Sequence, residues 1–214
     1  HLSNLLTFVT YRLSYYFVAY YADARAVGIL SVGVALAEAV WLIPRSTALV
    51  QYVELVHSAG QGRPQLTAAR LTLLGTGAAV LGLVLVPAPV LGAVFGPEFG
   101  AARPVLLLLA PGMLLVTVQM LCSSYFAGRA QYRTNNLAAL AGLLVTVPAC
   151  WLLIPRFGIR GAALASSVSY LASAAFLFFH FRQATGVGFR ALLPSLTDFR
   201  VVAGGEKIEV RQER

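Results

Sequence analysis

The sequence predicts an all-α, polytopic membrane protein built as a bundle of six transmembrane helices. Three observations lead there. Only 11% of residues are charged and 58% are hydrophobic, whereas soluble domains carry about 25% charged residues; most side chains therefore face lipid or other protein. A short basic turn, Ile154-Pro155-Arg156-Phe157-Gly158-Ile159-Arg160-Gly161, separates two apolar runs, 137–153 and 162–181, and neither run contains Asp, Glu, Lys or Arg. As helices, such runs cover roughly 26–30 Å, the thickness of the hydrocarbon core. Finally, the net charge of +8 comes mainly from arginines in the connections between apolar runs. That placement fits a membrane protein and argues against a nucleic-acid partner.

The elements follow in order. The first expected span, 5–21, is short and rich in Tyr and Phe; the second, 27–56, is long, and Pro44 is expected to kink it. A polar connection (HSAGQGRPQLT, 57–67) leads to a third span, 71–95, with Pro87 and Pro89 near its end. A turn (GPEFGAAR, 96–103) precedes the fourth span, 104–127, and a second polar connection (GRAQYRTNN, 128–136) precedes the fifth, 137–154. Pro155 and Gly158 are expected to stop that helix and Gly161 to open the sixth, 161–181. Residues 1–182 thus read as one six-helix transmembrane lobe and 183–214 as an extramembrane tail. The chain begins at His1 and enters an apolar segment within a few residues, which reads as a piece of a longer protein.

Charge placement orients the spans. One set of connections holds Arg63, Arg70, Arg129, Arg133, Arg182 and Arg190; the opposite set holds Arg25, Arg103, Arg156 and Arg160, accompanied by Asp23 and Glu98. The richer side and the tail are expected to be cytoplasmic, in a multi-pass protein of the cytoplasmic (inner) membrane. Cys122 and Cys150 both lie in apolar runs and read as small buried hydrophobes. No His or Cys spacing suits a metal, and no phosphate-binding glycine loop, carboxylate pair or catalytic triad is present, so neither a metal, a cofactor nor an enzyme activity is expected.

Charged side chains inside spans are the candidate functional residues, because each costs several kcal/mol if it faces lipid. They are Arg12 in the first span and Glu38 and Arg45 in the second. Glu38, Arg45 and Tyr52 recur every seven residues, two helical turns, and so share a face. They are too far apart to pair within the helix, and each needs a partner from another helix, a cavity or a ligand. Arg12 with Glu38 is a plausible cross-helix pair. The polar-cavity reading, in which Arg12 or Arg45 meets a phosphate, stands beside a structural ion pair between the first two helices, and Arg45 can also snorkel to an interface. The tyrosines at 11, 15, 16, 20 and 21 read as packing and an aromatic belt, and Glu54 as a solvated interfacial acid. Gln119 and Ser123 either line a cavity or hydrogen-bond between helices; Gly161, Ala165, Ser169 and Ser173 form a small-residue packing stripe.

Several runs carry a resemblance. Val94-Phe95-Gly96-Pro97-Glu98-Phe99 with Ala101-Ala102 and 106–112, Gly128-Arg129 with Asn135-Asn136, and 152–167 around the hairpin turn occur in the order seen in the polysaccharide flippases. These belong to the multidrug/oligosaccharidyl-lipid/polysaccharide exporter superfamily. Val27-Gly28-Ile29-Leu30-Ser31-Val32 resembles the opening of that family's eighth helix. The resemblance covers about 5–182 and implies the C-terminal lobe of a two-lobe transporter working by alternating access. It implies a lipid-linked oligosaccharide substrate in polysaccharide, lipopolysaccharide or cell-wall biosynthesis. Its partners would be membrane lipids and either a missing N-terminal six-helix lobe or a second copy. Arg12 and Arg45 would meet the substrate's phosphates and Glu38 would hold an Arg in place. Ser14 stands near a position where the family often carries an acid, so acid-dependent ion coupling is not implied. Two other readings are a multidrug cation antiporter of the same superfamily, for which Glu38 is the mid-span carboxylate, and a non-transporting scaffold of a glycan-assembly complex whose tail docks a partner.

Overall fold

The computed structural model describes residues 2–58 and 66–192. The 59–65 stretch of the first polar connection, with Arg63, and the tail beyond residue 192 lie outside the described residues. Among the described residues the chain is all-α, with no strand. The helices are α1 (Leu2–Tyr21), α2 (Ala24–Val40), α3 (Leu42–His57), α4 (Leu66–Leu85) and α5 (Ala88–Phe95), then a 3-10 helix (Pro97–Ala102), α6 (Arg103–Gly128), α7 (Tyr132–Phe157), α8 (Ile159–Thr185) and α9 (Phe189–Leu192).

Among the described residues three stretches are long and apolar enough to cross a membrane, Leu66–Leu85, Pro97–Gly128 and Tyr132–Thr185; the bent pair α2–α3 is a fourth when its two helices are taken together as one span. Tyr132–Thr185 doubles back at Gly158 into α7 and α8, of 26 and 27 residues. Large apolar side chains such as Leu81, Leu144, Trp151, Leu171 and Phe179 are exposed on the outside, the exterior of a membrane-embedded protein. α1 falls short of the length-and-apolarity measure, since Asn4, Arg12 and its tyrosines interrupt the apolar sequence.

Proline chemistry accounts for several departures from the expected spans. The expected 27–56 helix is two helices. Pro44 has no N–H to donate to the Val40 carbonyl, and its ring crowds that carbonyl; α2 ends at Val40, and α3 leaves at 42°. The expected 71–95 span is divided as well. Pro87 holds an extended backbone (φ −76°, ψ 151°) and disfavours a helical Val86, so α4 stops at Leu85 and α5 forms a separate short helix. In the hairpin, Pro155 does not stop α7; Gly158 does, at φ 55° and ψ −131°, a conformation suited to glycine. Nor does Gly161 open α8, which begins at Ile159. Gly161 instead lets α7 and α8 touch, since a Cβ there would collide with the Leu153 carbonyl.

The expected tail begins inside the fold. Residues 183–185 complete α8, and α9 docks Leu192 against Ala69 and Leu121. Arg70, drawn into α4 because that helix starts at Leu66 rather than 71, donates from Nε to the Ala191 carbonyl at 2.7 Å.

α7 and α8 are antiparallel, as their cross-links show: Ser173 Oγ donates to the Ala138 carbonyl and Ser169 Oγ to the Gly142 carbonyl, both at 3.0 Å, and Thr146 Oγ1 donates to Ser169 Oγ at 2.6 Å. The small-residue stripe of α8 thus faces α7, with Gly161, Ala165, Ser169 and Ser173 all buried. α6 sits at the centre and packs on α8, α3, α4 and α2, while α1 packs on α7, α2 and α8. Gly112 of α6 meets Ser167 and Tyr170 of α8, and Gly128 meets Leu55 of α3. Cys122 and Cys150 are buried free thiols. The main core gathers Val18, Leu30, Val105, Leu106, Met113 and Ile154.

Candidate functional site

At the break at Trp41 the described residues leave a large cleft with polar groups in its lining. α1 packs on α2, but beyond the bend α3 packs on α4 and α6 instead. The space left between α1, α3 and the second half of α6 is an open cleft of about 960 Å³. α1 contributes Asn4, Thr7, Phe8 and Tyr11, whose three- and four-residue spacing puts them on one helical face. The bent pair contributes Glu38, Trp41, Arg45 and Tyr52, and α6 contributes Gln119, Ser123 and Ser124. Toward the ends of α3 and α6 a second cavity, of about 530 Å³, shares Tyr52 and Ala127 with the first and adds Arg129 and Tyr132. The cleft therefore runs from mid-bundle to one end.

The structure brings all three candidate charged residues to this region, in different roles. Glu38 and Arg45 line the cleft and are its charged residues. Arg12 is not in the lining; its Nη2 lies 3.7 Å from Glu38 Oε1. That distance is long for a charge-assisted hydrogen bond, which runs at about 2.7–2.9 Å. With the two side chains 42% and 32% exposed, the contact is a loose electrostatic one that holds the two groups near each other. The Arg12 guanidinium also stands 5.4 Å from the Tyr15 ring centre, within cation–π reach. Among the described residues Arg45 has no ion-pair partner, and it is exposed.

The wall at the break is aromatic. Trp41 lies 5.2 Å from Tyr11 and 5.9 Å from Tyr170, ring centre to ring centre, and Tyr11 and Tyr170 meet edge-on at 5.2 Å. Two polar atoms in the lining residues are left without a partner among the described residues, Trp41 Nε1 and Gln119 Oε1. Of the other tyrosines, Tyr16 and Tyr20 are exposed, and Tyr20 packs edge-on against Tyr21 at 4.9 Å. Glu54 is exposed.

Sequence reasoning did not single out Asn4, Thr7 or Trp41. The first two carried a usable signal, since they continue Tyr11 along one face of α1. Gln119 and Ser123 were open between cavity lining and interhelical bonding. Both line the cleft; the Ser123 carbonyl, not its hydroxyl, makes the interhelical contact, accepting from Asn135 Nδ2 at 3.0 Å.

No protein-family model, no curated protein and no solved structure matches this chain. The functional reading therefore rests on the cleft itself and on the sequence runs described above.

Proposed function

We propose that the chain is the C-terminal lobe of a membrane flippase that moves lipid-linked saccharide across the cytoplasmic membrane by alternating access. In this reading α1, α2–α3, α4, α6, α7 and α8 are its six spans. The face bearing the cleft meets a second six-helix lobe or a second copy of this chain. The protein makes and breaks no bond.

The observation that carries the proposal is Arg45, without an ion-pair partner among the described residues, in a cleft whose other lining residues are uncharged except for Glu38. An arginine at membrane depth is costly unless it meets water or an anion, and a planar guanidinium recognises phosphate through paired N–H donors. Arg12, outside the lining, adds positive charge 3.7 Å from Glu38 of the lining. The resemblance of the hairpin and connection motifs to polysaccharide flippases supports the same cargo. Arg45→Ala and Arg12→Ala, expressed at wild-type level in the source cell, are expected to abolish export of surface polysaccharide. Unchanged polysaccharide would refute the assignment.

One observation favours a second reading. Glu38 is the carboxylate in the cleft lining, which is what a cation antiporter of the same superfamily would use. Loss of transport in Glu38→Gln, with Arg45→Ala and Arg12→Ala both active, would decide for that reading.

A further inference from the structure

We infer that α5 is a membrane-surface anchor: its outer face, with Val90 and Val94, lies among lipid acyl chains just beneath the headgroups, at the end of the bundle that carries Asp23, Glu98 and Arg160. The inference needs only a membrane-embedded fold and is independent of the cargo. α5 reads APVLGAVF and contains no polar side chain. Positions 89, 90, 93 and 94 fall on one helical face, and all four are exposed, Val94 by 68%. The opposite face is already taken. Leu91 is buried in the main core, and Ala88 and Gly92 lie against the 3-10 helix. A Cβ built on Gly92 would stand 3.6 Å from Pro97 Cα, and one on Gly100 would stand 3.2 Å from the Ala88 carbonyl oxygen. A helix that is apolar all round, with its inner face packed on protein, has no polar side to offer water.

Two features set the depth of this face. α4 has 20 residues, which as a helix cover about 30 Å, the full hydrocarbon thickness, so the chain beyond Leu85 has reached the membrane edge. The 3-10 helix is also level with the turns of that end. Glu98 and Ala101 share a recess of about 420 Å³ with Asp23 and Arg25 of the α1–α2 turn and Gly158 and Arg160 of the α7–α8 turn. Asp23, Arg25, Glu98 and Arg160 are all exposed and mark the water side. Packed against the 3-10 helix, α5 therefore lies about one helix diameter, 10 Å, from that boundary, yet shows only apolar groups. Along the chain its exposed face follows directly on the exterior of α4, where Leu81 and Leu85 are exposed. Lipid is the occupant that fits both neighbours. A helix adsorbed from the water side would keep a charged face of its own; here the 3-10 helix with Glu98 supplies the polar partner instead.

The test attaches an environment-sensitive fluorophore to Val94→Cys, Leu144→Cys or Glu98→Cys of the full chain in lipid nanodiscs. The unsubstituted chain sets the background, since Cys122 and Cys150 are buried. Leu144, exposed midway along α7, is the deep-lipid reference, and exposed Glu98 is the water reference. Three quenchers are compared: a lipid nitroxide near the headgroup, a lipid nitroxide near the chain end, and iodide in water. The Val94 label is expected to emit to the blue of the Glu98 label, to be quenched most by the nitroxide near the headgroup, and to be nearly untouched by iodide. The Leu144 label should respond most to the deep nitroxide and the Glu98 label to iodide. All three sites are exposed, so the substitutions leave the packing intact. Iodide quenching of Val94 equal to that of Glu98 would overturn the anchor. So would protection from all three quenchers, which would mean that protein covers α5, or a response that matches Leu144 in depth. Val94→Asp gives a second readout: a lower Tm in nanodiscs is expected, and an unchanged Tm would contradict lipid burial.

Discussion

Replacing Gly161 with Ala adds a single methyl group at the closest approach of α7 and α8. The added Cβ would lie 2.6 Å from the Leu153 carbonyl carbon and 3.0 Å from Ile154 Cα, and would overlap the Leu153 oxygen as well. All three are backbone atoms and cannot swing aside as a side chain does, so the helices must separate. Overpacking a filled site costs about 1–3 kcal/mol, and a backbone collision belongs at about 3 kcal/mol of that range. With about 2–4 °C of Tm per kcal/mol for a chain of this size, the variant is expected to melt about 6–12 °C lower. Gly77→Ala and Gly82→Ala in α4 are the matched controls, because a Cβ at either meets nothing within 4 Å. Alanine favours helix over glycine by about 0.8–1.0 kcal/mol, so these two should melt at or slightly above wild type. The assay is thermal unfolding of detergent-solubilised protein followed by circular dichroism. Wild-type stability in Gly161→Ala would refute the close packing of the hairpin.

Other outcomes follow from the same geometry. Pro44→Ala restores the N–H that the Val40 carbonyl lacks; spin labels on α2 and α3 should report a bend smaller than 42°, and an unchanged bend would place its cause elsewhere. Cys122 and Cys150 are 2% and 0% exposed, so maleimide should label neither until the protein is denatured; fast labelling of the native protein would contradict the packing of α6 and α7. Ser169→Ala removes the hydroxyl shared by Thr146 and the Gly142 carbonyl. At about 0.6 kcal/mol for an average interhelical bond in a membrane, and up to about 1.7, it should lower Tm by a few degrees. Exposed Ser46, which bonds only within its own helix to the Leu42 carbonyl, should tolerate alanine.

Features that depend on a single residue's chemistry were legible in the sequence. Pro44 announced the bend, and the rule that proline disturbs the carbonyl four residues back explains why the break falls at Trp41. The small residues of α8 announced close packing, although Gly161 serves contact with Leu153 rather than helix initiation. Pro87 was placed near the end of one long span, 71–95; apolar composition continues straight through it, so hydropathy alone could not reveal that α5 is separate. Charge inside apolar runs marked Arg12, Glu38 and Arg45, but not their division into cleft lining and support. That division depends on how α3 turns away from α1, a tertiary consequence of the bend. Trp41 went unnoticed because a tryptophan in an apolar run looks like packing until its N–H is found without an acceptor.

The central claim is that the cleft between α1, α3 and α6 holds a phosphate-bearing lipid. The most direct measurement is photo-crosslinking of the full chain in nanodiscs with a prenyl phosphate bearing a photoreactive group beside the phosphate, followed by peptide mapping. The account predicts adducts on residues 4–11, 38–52 and 119–127, lost on competition with unlabelled prenyl phosphate and lost in Arg45→Ala. Adducts confined to the outer faces near Leu144, Trp151 or Leu171, or adducts that survive competition, would contradict it.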